Sequence, residues 1–370
     1  MAMSNSKRKV LFLVESLEGG DAAKALSTLV QYIDKTKFDV TVCSINSGGK
    51  YESVIRENVN YKTVLTESSG MKRKMVYKNL PLSLVYKLYI PQGYDVEVAC
   101  TEGFVTKLLS HAGGKSKKYA WVHTDLYRNH WTKEVYSDLK EETSAYNHYD
   151  KVICVANLLK EAFMKRFPDV KQPVDVIYDP VDSLSVRLKS LNATNETETK
   201  VGMRLVTQGR LEAQNDYGRL LRAMKRLVGE GYDIGLWMFG DGSEQGILDH
   251  YVRENGLQER VKLFGPHPNP YRYMVKGDLF VCTSYSTHVI NALILGLPVL
   301  AGECPELREL LKNGESAFFT DNNETGLYDG IKKFLDDPAL LKQYKQKGEA
   351  RGWDFDIEAL MVPIENLLGA

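Results

Sequence analysis

A guanidinium, an imidazole and a few carboxylates stand at the ends of apolar runs in this chain, where loops of an α/β protein would carry chemistry. Arg210 follows "RLVTQG" directly, and a planar guanidinium at a strand's carboxyl end suits a diphosphate. A surface pairing with Glu212 or Asp216 is the plainer reading. His123 closes "YAWVHT"; there an imidazole could hydrogen-bond a hydroxyl or exchange a proton, or serve only as a bonded structural group. Glu102, in "CTEGFVTK", ends another run before a helix and is the strongest acidic candidate. Glu303 follows "PVLAG". In "FGDGSEQ", Gly240 and Gly242 sit between a strand and a helix start. Glycines there let backbone approach a ligand, and a helix N-terminus favours an anion, although a tight turn explains them equally. Thr287 stands where it would cap "HVINALILG", leaving the N–H groups of His288 and Val289 to a phosphate. No His, Cys, Asp and Glu cluster has metal-ligand spacing.

These groups need a frame, and the apolar pattern supplies one. "KVLFLVES", "FDVTVCSI", "YKTVLT", "DVEVACT", "YAWVHT", "KVICVA" and "VDVIYD" read as strands. Most are continuously apolar, as strands buried on both faces are. Helical stretches such as "AAKALSTLVQYIDK" and "NLLKEAFMKRF" lie between several of them, which predicts βαβ units and a parallel sheet. A polar segment, "SLNATNETETK", reads as a linker. The alternation then restarts through "RLVTQG", "LWMFG", "VKLFG", "LFVCT", "PVLAG" and "SAFFT". The expected fold is α/β, with two doubly wound, Rossmann-like domains facing across a cleft. The expected boundaries are 1–183 for the first domain, 184–200 for the linker, 201–350 for the second domain and 351–370 for a final helix crossing back to the first. No G-x-G-x-x-G opens either half, which disfavours a nicotinamide enzyme.

The chain has 370 residues, 43% of them hydrophobic, and its 48 Lys+Arg balance its 48 Asp+Glu. A zero net charge argues against a nucleic-acid partner. The five cysteines are scattered without a C-x-x-C pair and read as small buried hydrophobes of a reducing compartment. No run is long and apolar enough to span a bilayer, and no signal peptide precedes "KRKVLFLVES"; a cytoplasmic protein is expected.

The second half carries motifs that go beyond fold class. "TQGRLEAQNDYGRLLRAMKRL", "LWMFGDGSEQGILDHYVRENGLQERVKLFGPHPNPYRYM" and "DLFVCTSYS…NALILGLPVLAGECPELRELL" resemble the donor domain of GT-B glycosyltransferases of family GT4 (group 1). "LFLVESLEGGDAAKALSTLV", "YAWVHTDL" and "VIYDPVD" resemble that family's acceptor domain and hinge, so the likeness covers nearly the whole chain. It implies retaining transfer of a sugar from a UDP- or GDP-sugar to an acceptor hydroxyl, with no metal or other cofactor. Protein cations and helix dipoles would stabilise the departing diphosphate.

The resemblance assigns roles and marks departures. Arg210 falls on the diphosphate. Asn215 stands where a second phosphate-binding cation, a Lys, is usual, and Asp216 beside it would repel phosphate if it pointed inward. From Tyr285 to Gly302 there is no acidic residue, although the family carries two spaced glutamates there. The first is lost with a shortened loop; the second, a ribose contact, falls at Asn291, with His288 one helical turn before it. Thr287 and His288 would line the phosphate–sugar pocket. Gly19 and Gly20 retain part of a glycine-rich acceptor-side turn, followed by Asp21, which reads as an N-cap. His123 matches an acceptor-side histidine and, with Glu102, is assigned the catalytic role. Glu306 suits the dipole of its own helix. Reduced activity is expected, and replacing Asn215 by Lys and Asn291 by Glu should tighten nucleotide binding.

Acceptors in the family are often glycans or lipid-linked, and "GMKRKMVYKNLPLSLVYKLYI" is basic, aromatic and apolar. Lys72, Arg73, Lys74 and Lys78 would hold it peripherally to the anionic inner face of a membrane; a core helix with a solvated basic end is the alternative. Two further readings stay open. One is a catalytically impaired GT-B protein that binds a glycan or a partner. The other is a sugar-nucleotide epimerase, for which the chain looks poor in acid/base carboxylates.

Overall fold

The computed structural model describes residues 6–65, 80–193 and 200–370. The chain divides into two compact units, residues 1–181 with 357–370, and residues 182–356.

In the first unit, β1 (Arg8–Val14), β2 (Phe38–Asn46), β3 (Asn60–Leu65), β4 (Val96–Ala99), β5 (Lys117–Val122), β6 (Lys151–Cys154) and β7 (Val174–Val176) form one sheet in the order β3-β2-β1-β4-β5-β6-β7. Every neighbouring pair is parallel. Val10 to Val14 are wholly buried because helices cover both faces of the sheet, which is why these strands read as unbroken apolar runs. The chain reverses its winding between β1 and β4. Loops at the carboxyl ends of strands flanking such a switch point are where this architecture places ligands.

The second unit repeats the plan with β8 (Met203–Gln208), β9 (Ile234–Phe239), β10 (Val261–Gly265), β11 (Leu279–Cys282), β12 (Val299–Gly302) and β13 (Phe318–Thr320), ordered β10-β9-β8-β11-β12-β13. Its strands too are parallel, and its switch point falls between β8 and β11. The helix Tyr217–Gly229 follows β8 and buries Leu220, Leu221, Met224 and Leu227 at helical spacing against the sheet. All the runs expected as strands form strands.

Two stretches differ from the expectation. Within 184–200, read as a linker, Ser183–Ser190 is an α-helix capped by the Asp182 side chain, which accepts from Ser185 N at 2.9 Å. The helix is tied into the second unit: Lys189 O accepts from Asn269 Nδ2 at 2.9 Å, and the Arg187 guanidinium lies 4.2 Å from the Trp353 ring centroid. Within 351–370, the helix Pro338–Trp353 ends before a separate helix, Ile357–Gly369, begins. The latter adds Ile357, Met361, Ile364 and Leu368 to the core of the first unit. The basic residues Lys72, Arg73, Lys74 and Lys78 lie outside the described residues. The helix that follows them, Leu82–Tyr89, buries Val85 and Tyr86 and exposes Leu84, Leu88 and Tyr89.

Candidate functional site

In the first unit the candidate residues gather at the carboxyl ends of β1, β4, β5 and β7. Glu102 is buried just after β4. Its Oε1 accepts from His123 N at 2.6 Å, Thr124 N at 2.7 Å and Thr124 Oγ1 at 3.0 Å. Three donors on one oxygen make Glu102 the clamp that sets the start of the loop after β5. Gly103, at φ 79°, lets the next helix begin under Trp131; a Cβ there would stand 2.9 Å from that indole. Farther along the same loop a second carboxylate does the same work. Glu142 is fully buried and accepts from Thr132 Oγ1 at 2.7 Å, with His130 Nε2 also at 2.7 Å. Sequence reading passed over Glu142 and His130 because "KEETSAY" looks like a solvated helix face.

The His123 side chain is 7% exposed, with Nε2 3.3 Å from Asp179 Oδ1. Burial disfavours its charged form, but Asp179, Glu102 and Asp21 outweigh that and raise its pKa above the ordinary 6.5. Asp179 is a residue that the sequence did not mark out. Its signal was an acid, in "VIYDPVD", at the end of an apolar run. Gly19 and Gly20 are exposed after β1. Gly20, at φ 86°, is the N-cap of the helix Asp21–Tyr32, and no side chain bonds that end. Asp21 is therefore the first helical residue rather than the cap.

In the second unit Arg210 is exposed just after β8 and has no ion-pair partner among the described residues. Glu212, the partner considered for it, is bonded instead by Ser243, through Oγ at 2.6 Å and N at 3.3 Å, which lowers its pKa. Asp216 is likewise taken up by the scaffold. With φ 42° it caps the helix Tyr217–Gly229, and its carboxylate lies 3.8 Å from Arg219 and 3.9 Å from Arg222. Asn215 bridges two loops: its Nδ2 donates to Arg210 O at 2.7 Å, and its Oδ1 accepts from Ser284 Oγ at 2.8 Å. The side chain in the expected cation's place is thus held by the scaffold.

The turn after β9 shows what its glycines are for. A Cβ on Gly240 would stand 1.8 Å from Gly209 O, and one on Gly242 would stand 2.3 Å from Leu211 O. Leu211 N donates to Asp241 O at 2.7 Å. The glycines let this loop close on the loop bearing Arg210, which fixes the direction of that residue's backbone.

After β11, Thr287 has helical backbone angles and makes no capping bond; Ser286 Oγ accepts from His288 N at 3.3 Å instead. His288 is half-buried. Asn291 is buried, with Nδ2 3.5 Å from Gln208 Oε1. Glu303 is exposed and paired with Arg308 through Nε at 2.5 Å and Nη2 at 2.6 Å. Among the described residues no group of His, Cys, Asp and Glu is arranged to hold a metal. Burial pushes the Cys43, Cys154 and Cys282 thiols up to about 12, as expected of inert core cysteines.

Comparison with known proteins bears on the fold and the family of the second unit. Residues 195–351 match the family model of the glycosyl transferases group 1. The chain is 25% identical over 367 residues to the N-acetylgalactosamine-N,N'-diacetylbacillosaminyl-diphospho-undecaprenol 4-alpha-N-acetylgalactosaminyltransferase of Campylobacter jejuni, covering 94% of this chain and 96% of that protein. It is 22% identical to the amylovoran biosynthesis glycosyltransferase AmsD of Erwinia amylovora, covering 97% and 99%. Among solved structures, HepE of Anabaena in complex with UDP superposes with a TM-score of 0.74 at 19% identity, over 98% of this chain and 99% of that one. The apo form of the lipopolysaccharide outer core galactosyltransferase WaaB superposes with a TM-score of 0.70 at 15% identity, covering 98% and 99%. Two doubly wound units and the likeness to these structures along the whole chain give the protein the GT-B fold, and its second unit carries the match to the glycosyl transferases group 1.

Proposed function

We propose that the protein transfers a sugar, with retention and without a metal, from a UDP- or GDP-sugar to a glycan or lipid-linked acceptor in the assembly of a cell-surface polysaccharide or glycolipid. The observation that carries this reading is Arg210. It is an exposed guanidinium with no ion-pair partner among the described residues, on a backbone fixed by the close approach of the Gly240–Gly242 turn. A preorganised cation of this kind is suited to the charge that gathers on a departing diphosphate. Full-length relatives named for a diphospho-undecaprenol substrate and for amylovoran support the acceptor class. His123 and Glu102 belong to the acceptor side, with Glu102 acting through the loop it holds. Thr287, His288 and Asn291 line the donor side.

The acceptor class also favours a peripheral place on the inner face of a membrane. No helix among the described residues is long and apolar enough to cross one. The exposed Leu84, Leu88 and Tyr89 directly follow the basic segment of Lys72, Arg73, Lys74 and Lys78 and suit an anionic surface. Sedimentation with anionic liposomes should weaken when the four basic residues become Gln.

Isothermal titration with UDP, GDP and ADP tests the central reading. Binding of UDP or GDP, weakened roughly tenfold or more by Arg210→Ala, is expected when a charge-assisted contact is lost. Binding of none of the three would favour the rival reading of a non-catalytic partner- or glycan-binding protein. The scaffold bonds of Asn215 and the neutral Asn291 are the observations on that rival's side.

A further inference from the structure

We infer that Asp179 is a positioning residue that holds His123 as the doubly protonated imidazolium, which makes His123 a fixed hydrogen-bond donor rather than a general base. The inference deepens the proposed function, because it rests on His123 belonging to the reacting site.

His123 and Asp179 come from the carboxyl ends of β5 and β7 and lie 3.3 Å apart, Nε2 to Oδ1. Asp179 Oδ1 is buried and has no hydrogen-bond partner of good geometry, and among the described residues the imidazole is the only ionisable group paired with it. The Asp179 side chain is only 24% exposed, and a carboxylate oxygen withdrawn from water without a bonded partner favours a nearby counter-charge, which the imidazole can supply. The surroundings work in the same direction. Asp21 at the start of the first helix and Glu102 after β4 add negative potential at the ring. The remaining wall is apolar, built from Phe12, Leu26, Cys100 and Trp121, with Trp121 stacked at 6.3 Å between ring centroids. Such a wall gives a carboxylate's field little screening.

The second ring nitrogen completes the picture. Nδ1 is buried and has no partner among the described residues. In the neutral ring it would be a lone pair suited to taking a proton. In the imidazolium it is an N–H, and the arrangement keeps that donor for an acceptor oxygen. Glu102 fixes the backbone of the same residue through its N–H, so main chain and ring are held by different carboxylates.

The test is a titration of His123 by nuclear magnetic resonance in the full chain, with His123→Asn to assign the signal. The parent midpoint is expected above the ordinary 6.5, lower in Asp179→Asn, and restored toward the parent in Asp179→Glu. A parent midpoint at or below 6.5, or one that Asp179→Asn does not move, overturns the inference. Should Asp179→Asn fail to fold, the ring-nitrogen shifts of the parent at pH 7 decide: two protonated nitrogens support the inference, and one bare nitrogen defeats it. In the transfer assay Asp179→Asn should lose about tenfold more activity at pH 8 than at pH 6, because the neutral ring then dominates. No transfer by the parent at any pH would count against the proposed function, and the titration would still decide the role of Asp179.

Discussion

The loop after β5 in one unit and the loops after β8 and β11 in the other all leave the carboxyl ends of parallel strands, yet they are held by different groups. The first is held by buried charge: Glu102 and Glu142 accept from its N–H and hydroxyl groups, and Asp179 sits against its histidine. The second set is held mainly by neutral bonds and by backbone packed on backbone, through Asn215, Thr283, Gly240 and Gly242, with one buried cation, Arg219, donating to Thr283 O. Among the described residues no carboxylate is buried there: the remaining charge stays outside, on Arg210 and on the Glu303–Arg308 pair. A residue's place in a motif therefore does not settle its work. A side chain whose hydrogen-bonding capacity is already taken by the scaffold cannot also serve a ligand.

The comparison can be broken at several points. The largest effect is expected at Glu142, where Glu142→Ala leaves buried donors without an acceptor and should cost about 3 kcal/mol of stability, read by urea unfolding. A loss below about 1 kcal/mol would mean that buried charge does not hold this loop. Asn215→Lys comes next. It removes bonds to Arg210 O and Ser284 Oγ, and should lower stability by about 1 kcal/mol without tightening nucleotide binding. Tighter binding would show that the position faces the ligand after all, as the family pattern implies.

Two acids of the first unit sharpen the contrast through pH. Burial raises the pKa of Glu97, although Tyr86 donates to it at 2.8 Å. A raised carboxyl favours folding below its unfolded value and loses that contribution as pH rises through the folded one. Glu97→Gln should therefore be more stable than the parent at pH 8, with the gap closing toward pH 4. Glu141 behaves in the reverse sense. Its partial burial would raise it, but Lys107 and Ser137 bring it to about 2, so its contribution is present at neutral pH and fades as pH falls toward that value. Acid-unfolding curves of Glu141→Gln should converge with the parent only at strongly acid pH. The smallest effect belongs to Glu303→Gln, an exposed pair whose loss should change stability by less than about 0.5 kcal/mol. A larger change would place that carboxylate in the scaffold.

The strands were legible because burial on both faces leaves a local record, an unbroken apolar run such as "KVLFLV". The helix Ser183–Ser190 also left a record, an Asp three residues before the serine whose N–H it caps, but "SLNATNETETK" drew the reading toward a linker. The site was less legible. Glu142 becomes a buried acceptor only because His130 and Thr132, twelve and ten residues upstream, fold onto it. Asp179 meets His123 across more than fifty residues of chain. Neither pairing has a spacing that a linear pattern could reveal. The departure at Asn215 was visible, but its bond to Ser284, which explains it, joins loops from two different strands.

The helix Ile357–Gly369 belongs to the first unit, so the second is spliced into the first as an insertion. During synthesis on a ribosome, residues 182–356 are contiguous and can close their core as soon as they emerge. The first sheet must wait with part of its hydrophobic face uncovered until Ile364 and Leu368 arrive. The vulnerable species in the cell is therefore the early-made half, and a stop codon near residue 356 would expose that half to proteolysis while leaving the later-made one intact.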